Sequence, residues 1–93
     1  MEFEWDALKE IANIRKRGVP FSLAMDSFFD PKGFQMTDPK HSRDEGRFYW
    51  IGKTGSGRVL TTWFTRRGGI IRIIGCAEWR KFRRFYNETT KDK

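Results

Sequence analysis

The sequence is short of the residues that make covalent or metal cross-links. Its 93 residues include one cysteine, Cys76, and one histidine, His41. A lone cysteine excludes an internal disulfide, and one Cys with one His excludes a metal centre built from those ligands, so no metal and no cofactor is expected. A reducing compartment is the expected setting. There is no secretory-type hydrophobic segment and no apolar run near the ~18 residues of a membrane helix. A soluble, cytoplasmic protein is therefore expected. Internal repeats and linkers are absent too. A single domain over 1–93 is expected, with a flexible tail at about 89–93. A chain of this size buries only roughly 60–65% of its unfolded surface, so a partner chain would help it.

What the sequence does have is aromatic residues and unevenly placed charge. Phe, Trp and Tyr make up 16% of the chain, with 9 Phe and 4 Trp, which indicates a folded protein. The net charge is +7. Residues 1–46 hold 7 Lys/Arg against 9 Asp/Glu, a balance of −2, whereas residues 47–93 hold 12 against 3, a balance of +9. Basic charge gathered in one half points to a polyanionic partner, either nucleic acid or an acidic protein.

The pattern reads as α+β. Phe3-Glu4-Trp5 alternates like a short strand, and Asp6 is placed to cap a helix over 7–17 that Gly18 ends. Leu8, Ile11, Ala12 and Ile14 fall at helical spacing, leaving Lys9, Asn13, Lys16 and Arg17 for the outer face. A second short helix is expected over 21–29, a short strand over 34–38 and a polar loop over 39–46. Strands over 47–53, 58–66 and 69–75, joined by short glycine-rich turns, predict an antiparallel meander. A terminal helix over about 77–88 carries Trp79, Phe82, Phe85 and Tyr86 on one face and Arg80, Lys81, Arg83 and Arg84 elsewhere. The segment Gly52-Lys-Thr-Gly-Ser-Gly57 lacks phosphate-loop spacing and is read as a hairpin turn. Trp5, Trp50 and Trp63 are read as core.

One residue breaks the pattern. Arg72 interrupts Ile70-Ile71-Arg72-Ile73-Ile74, a run otherwise suited to a buried strand. Alternation puts Ile71 and Ile73 on one face and Arg72 on the other, less covered one. There it meets a carboxylate such as Asp44, Glu45 or Glu78, or shares a cationic concavity for phosphate with Arg66 or with the basic terminal helix. The terminal-helix cations with interleaved aromatics suit either a solvated face or nucleotide stacking. His41 is read as a loop or partner-contact residue, or as a proton-transfer group.

The ordered series of residues resembles the BrnT toxins of type II toxin-antitoxin systems. It comprises Phe3-Glu4-Trp5-Asp6, Lys9, Asn13, Lys16, Gly18-Val19, Phe21, Phe28, Asp30, Asp38 and His41-Ser42. It continues through Glu45, Arg47, Ile51-Gly52, Gly57-Arg58, Leu60 and Thr65 to Ile71-Arg72-Ile73-Ile74. The resemblance implies a small RelE-like fold and a metal-independent RNA endonuclease that inhibits translation. It also implies a BrnA-like antitoxin with a ribbon-helix-helix domain, the complex binding operator DNA. For RNA cleavage, Arg72 and Arg66 would be the transition-state cations, and Lys53, His41 or Tyr86 the proton-transfer groups. Arg80, Lys81, Arg83, Arg84, Lys9 and Arg17 would contact RNA.

The chain departs from the family pattern at Arg17, where a histidine is usual, and at Ala77, where an arginine is usual; Arg80 is the candidate replacement. These departures keep two alternatives in play: a non-catalytic BrnT-like subunit that binds an antitoxin and contributes to operator DNA binding, and a basic RNA-binding module.

Overall fold

Gly68 and Gly69 both adopt positive φ, 53° and 87°. Residues with side chains resist that conformation, and two of them in succession give a turn whose twist matches paired strands. In the computed structural model, which describes residues 1–41 and 45–91, they join β4 (Val59–Arg67) to β5 (Ile70–Ala77). Before them come β1 (Glu2–Trp5), α1 (Ala7–Arg17), α2 (Phe21–Ser27), β2 (Phe34–Thr37) and β3 (Arg47–Lys53); α3 (Arg80–Thr90) follows. The fold is α+β, with one five-stranded sheet in the order β1-β5-β4-β3-β2.

Strands β2 to β5 are consecutive antiparallel neighbours. β1, to which the sequence assigned no neighbour, adds a parallel edge to the meander: it lies along β5 with Phe3 opposite Ile71 and Trp5 opposite Ile73. The alternation of each strand then sorts side chains to two faces. Phe64, Ile71 and Ile73 pack with Val19, Phe21, Ala24 and Phe28 of the α1–α2 region, and Trp5 and Trp50 lie against this core. On the other face Ile51 and Val59 pack with Tyr86 of α3, beside Phe34, Met36, Tyr49 and Phe82.

Helix α1 has the expected bounds and the opposite orientation. Asp6 caps it by accepting the Leu8 backbone N–H at 2.8 Å, and Gly18, at φ 70°, closes it. Yet Leu8, Ile11 and Ile14 are exposed, and Asn13, expected outside, is buried. The reason is a gap in the sheet: β1 ends opposite Ile73, so β5 continues past it without a strand neighbour. Asn13 takes the vacant position. Its Nδ2 donates to the Cys76 and Val19 carbonyls at 3.0 and 2.8 Å, and its Oδ1 accepts the Cys76 N–H at 3.1 Å.

Other boundaries shift by one to three residues, and α2 ends at Ser27 rather than 29. β5 runs on to Ala77, which delays α3 to Arg80. At its far end α3 continues through Thr90, part of the segment expected to be a flexible tail. There the Thr89 and Thr90 hydroxyls bond the Phe85 and Tyr86 carbonyls. Asp92 and Lys93 lie outside the described residues, as do Ser42, Arg43 and Asp44 of the polar loop.

Candidate functional site

Helix α3 packs against β3 and β4, and the β1–β5 side of the same sheet face carries half-exposed charged groups. Register aligns them in a row: Arg47 of β3 is opposite Thr65 of β4, Thr65 is opposite Arg72 of β5, and Arg72 is beside Glu4 of β1. Neighbouring strands lie ~4.8 Å apart, so Arg47 and Arg72 flank Thr65 with roughly 10 Å between their Cα atoms. Arg72 is held by Glu4, Nη1 to Oε2 at 2.6 Å. That carboxylate is none of the expected partners. Glu78 pairs with Arg58 at 2.6 Å, Glu45 pairs with Arg67 at 3.1 Å, and Asp44 lies outside the described residues. The parallel register of β1 is the cause, because it sets Glu4 directly alongside Arg72.

The row continues past Arg47 into β2. The Asp38 backbone N–H donates to the Arg47 carbonyl at 2.8 Å, which brings the chain just beyond β2 alongside β3. The Asp38 carboxylate, 4% exposed, lies 3.5 Å from Arg47 Nε and 2.9 Å from His41 Nδ1. The His41 side chain is 55% exposed. Beside this cluster burial, together with the Asp38 charge, pushes the Tyr49 hydroxyl above its ordinary value. In the middle of the row Thr65 is 5% exposed, and its hydroxyl has no hydrogen-bond partner among the described residues. A buried hydroxyl without a protein partner is costly unless a water or a ligand atom satisfies it.

Arg66, expected to share a surface with Arg72, lies on the opposite face. It is opposite Ile71, whose side chain points into the α1–α2 core, and its guanidinium donates to Gln35 at 2.9 Å. Lys53 and Tyr86 are also apart from Arg72. Lys53 ends β3 six residues beyond Arg47, roughly 20 Å along an extended strand. There it forms a second cluster with Asp30, whose Oδ2 accepts the Lys53 backbone N–H at 2.7 Å and the Tyr86 hydroxyl at 2.5 Å. Burial, then the Asp30 hydrogen bond and charge, push the Tyr86 hydroxyl up to about 12, which suits an anchor of α3 better than a group exchanging protons near neutral pH. Burial also pushes Asp30 up, but the bonds it accepts from Tyr86, Lys53 and Lys32, with the Lys53 charge, outweigh that and hold it below its ordinary value.

Among the cations expected to contact RNA, Arg17 lies over two tryptophans of the same region. Its guanidinium lies 5.1 Å from the Trp63 ring and 5.5 Å from the Trp79 ring, and these two indoles are stacked at 5.0 Å. Trp63 is two residues before Thr65 and on the same face, so it is half-buried under a cation as well as part of the packing. Lys9, Lys16 and Arg17 line a groove of about 280 Å³ against Ile74. Arg80, Arg83 and Arg84, with Lys91, line a larger one of about 490 Å³ along α3, and Lys81 is exposed on the same helix. Among the described residues no group of three or more His, Cys, Asp or Glu side chains gathers to hold a metal ion.

Sequence reasoning named Arg72 and His41 as candidates and did not name Arg47, Asp38, Thr65 or Glu4 as their neighbours. Glu4 left a local signal, as a carboxylate inside an alternating strand, and Asp38, Arg47 and Thr65 stood in the series that resembles the BrnT toxins without any sign of their pairing.

A comparison with curated proteins finds no match. Among solved structures, the crystal structure of the Brucella abortus ribonuclease toxin BrnT aligns with a TM-score of 0.64, covering 85% of this chain and 96% of the Brucella chain at 22% identity. At that identity the likeness is one of fold. The family described as the ribonuclease toxin BrnT of type II toxin-antitoxin systems matches residues 5–82. With most of its length inside that match, and with the fold of the Brucella protein, the chain belongs to the BrnT family of type II toxins.

Proposed function

We propose that the chain is an RNA endonuclease toxin, restrained by a BrnA-like antitoxin, and that the Arg47–Thr65–Arg72 row is where the scissile phosphate sits. The observation that carries this reading is the buried Thr65 hydroxyl, without a hydrogen-bond partner among the described residues, between two half-exposed arginines on one sheet face. A phosphate oxygen would satisfy that hydroxyl, and the two guanidinium groups would neutralise the charge that grows on the non-bridging oxygens in the transition state. Glu4 is displaced from Arg72 as RNA enters, which makes binding salt-dependent and keeps the free site neutralised.

The chemistry is an in-line transfer. The RNA 2′-oxygen attacks phosphorus while the bond to the 5′-oxygen breaks, leaving a 2′,3′-cyclic phosphate and a 5′-hydroxyl. His41 donates its Nδ1–H in the hydrogen bond to the Asp38 carboxylate, which leaves Nε2 to accept the 2′-hydroxyl proton, and water protonates the departing 5′-oxygen. Arg17, the cations of α3 and Lys9 guide the flanking RNA backbone.

The test is purified protein with RNA in EDTA, with the product ends analysed. Cleavage to cyclic phosphate ends, lost in His41→Ala and Arg72→Ala, is expected; absence of cleavage by folded protein would refute it. A second reading, the non-catalytic subunit that holds an antitoxin and contributes to operator DNA binding, rests on Ala77. That residue is buried opposite Thr61 and supplies no cation at the position where the family pattern has one. The same assay separates the two.

A further inference from the structure

Helix α1 is amphipathic in the wrong sense for a helix on the surface of a monomer. Its inward positions are Glu10, Asn13 and Arg17, one helical face of polar groups. Each of them is engaged. Glu10 accepts the Phe21 backbone N–H at 2.8 Å, Asn13 bridges Cys76 and Val19, and Arg17 lies over the two indoles. Its outward stripe is Leu8, Ile11 and Ile14, 76%, 46% and 43% exposed. A surface helix ordinarily turns such a stripe to the core. The polar docking of α1 makes that rotation impossible without breaking the Asn13 bridge, so the apolar stripe is fixed outward.

We infer that this stripe is the antitoxin-docking surface, and that its occupant is an amphipathic helix with acidic flanks. The inference rests on the reading of the chain as a toxin with an antitoxin partner. Charge selects the occupant. Exposed Lys9, Arg15 and Lys16 surround the stripe, while Glu10, the one acid of α1, is turned inward and the Asp6 carboxylate caps the helix. A second copy of this chain would bring the same cations against them in a protein of net charge +7. RNA would neutralise the cations but leave the three aliphatic side chains in water. Leu8, Ile11 and Ile14 span ~9 Å of helix, a little under two turns, which suits apolar anchors at i, i+3 or i+4 and i+7 on a partner helix.

The test is calorimetric titration of the full chain with the antitoxin encoded beside it, comparing the unmodified protein with Ile11→Asp, Ile11→Ser and Arg15→Glu. Thermal melts confirm that each variant is folded. Affinity at least tenfold weaker for Ile11→Asp and weaker by a smaller factor for Ile11→Ser is expected. Arg15→Glu should lose affinity chiefly at low salt, and none of the three should change RNA cleavage. Affinity equal to that of the unmodified chain in both Ile11 variants would overturn the docking surface while leaving the toxin reading intact. Loss of RNA binding with unchanged antitoxin affinity would assign the face to RNA, and a homodimer broken by Ile11→Asp would assign it to a second copy; either overturns the inference. No complex with the unmodified chain would overturn the partner reading, and this surface with it.

Discussion

Replacing Asn13 by alanine removes three hydrogen bonds at once and strands three backbone groups: the Cys76 N–H, the Cys76 carbonyl and the Val19 carbonyl. Cys76 and Val19 are fully buried, so water reaches these groups only if the α1–β5 contact opens. An unsatisfied buried group costs about 1–3 kcal/mol. Opening of the α1–β5 contact to admit water limits the expected loss to about 3 kcal/mol rather than the full sum. For a domain of this size 1 kcal/mol shifts the melting temperature by about 4–8 °C, so a drop of roughly 12–24 °C is expected. Circular dichroism melts and urea titrations at pH 7 measure it. Asn13→Asp sharpens the test: it keeps an acceptor for the Cys76 N–H but sets a carboxylate against two carbonyls, so it is destabilised at pH 7 and recovers in part as the carboxyl protonates in acid. A loss under about 1 kcal/mol in Asn13→Ala, or no acid recovery in Asn13→Asp, would refute the view that this amide serves β5 as a strand neighbour.

Tyr86→Phe should lose about 1–2 kcal/mol at pH 7, because Asp30 forfeits a short hydrogen bond. The Tyr86 hydroxyl is held above its free value of 10, at about 12, so its contribution is complete below pH 10 and is lost as pH rises through 12; the variant should therefore show a smaller alkaline decline in urea midpoint than the unmodified chain. Gly75→Ala drives a Cβ into the Trp63 indole and should cost about 1–3 kcal/mol, with altered tryptophan fluorescence from the disturbed Trp63–Trp79 stack. Glu4→Gln removes the carboxylate on Arg72 and should tighten RNA binding severalfold at low salt, read by fluorescence anisotropy. Because both partners are partly exposed, it should change stability by less than about 1 kcal/mol.

Local signals in the sequence located the elements well, since caps, glycines and alternation act over a few residues. Asp6 and Gly18 bounded α1, and the short Arg67-Gly68 connection located the β4–β5 turn to within one residue, the turn lying at Gly68 and Gly69. Facing and pairing were less legible because they depend on contacts made far along the chain. The aliphatic spacing of α1 suggested an inward stripe, but the vacant edge of β5 drew Asn13 inward, and that vacancy exists only because β1 is four residues long and parallel. The same parallel pairing delivered Glu4 to Arg72 from 68 residues away. Strand register placed Arg66 on the far face from Arg72, although the two alternation patterns alone allowed either arrangement. The resemblance to BrnT rested on residues that now fall into two groups. Asn13, Phe28 and Asp30 hold the fold, whereas Asp38, His41, Arg47, Thr65 and Arg72 belong to the proposed phosphate row.

The most direct test of that row is growth of a bacterial host expressing the chain alone, beside the same host expressing Arg72→Ala at equal levels of folded protein, with total RNA examined on a gel. Arrest with RNA loss from the unmodified chain and normal growth with intact RNA from the variant is the predicted result. Arrest that survives Arg72→Ala, or normal growth with abundant folded unmodified protein, would contradict it.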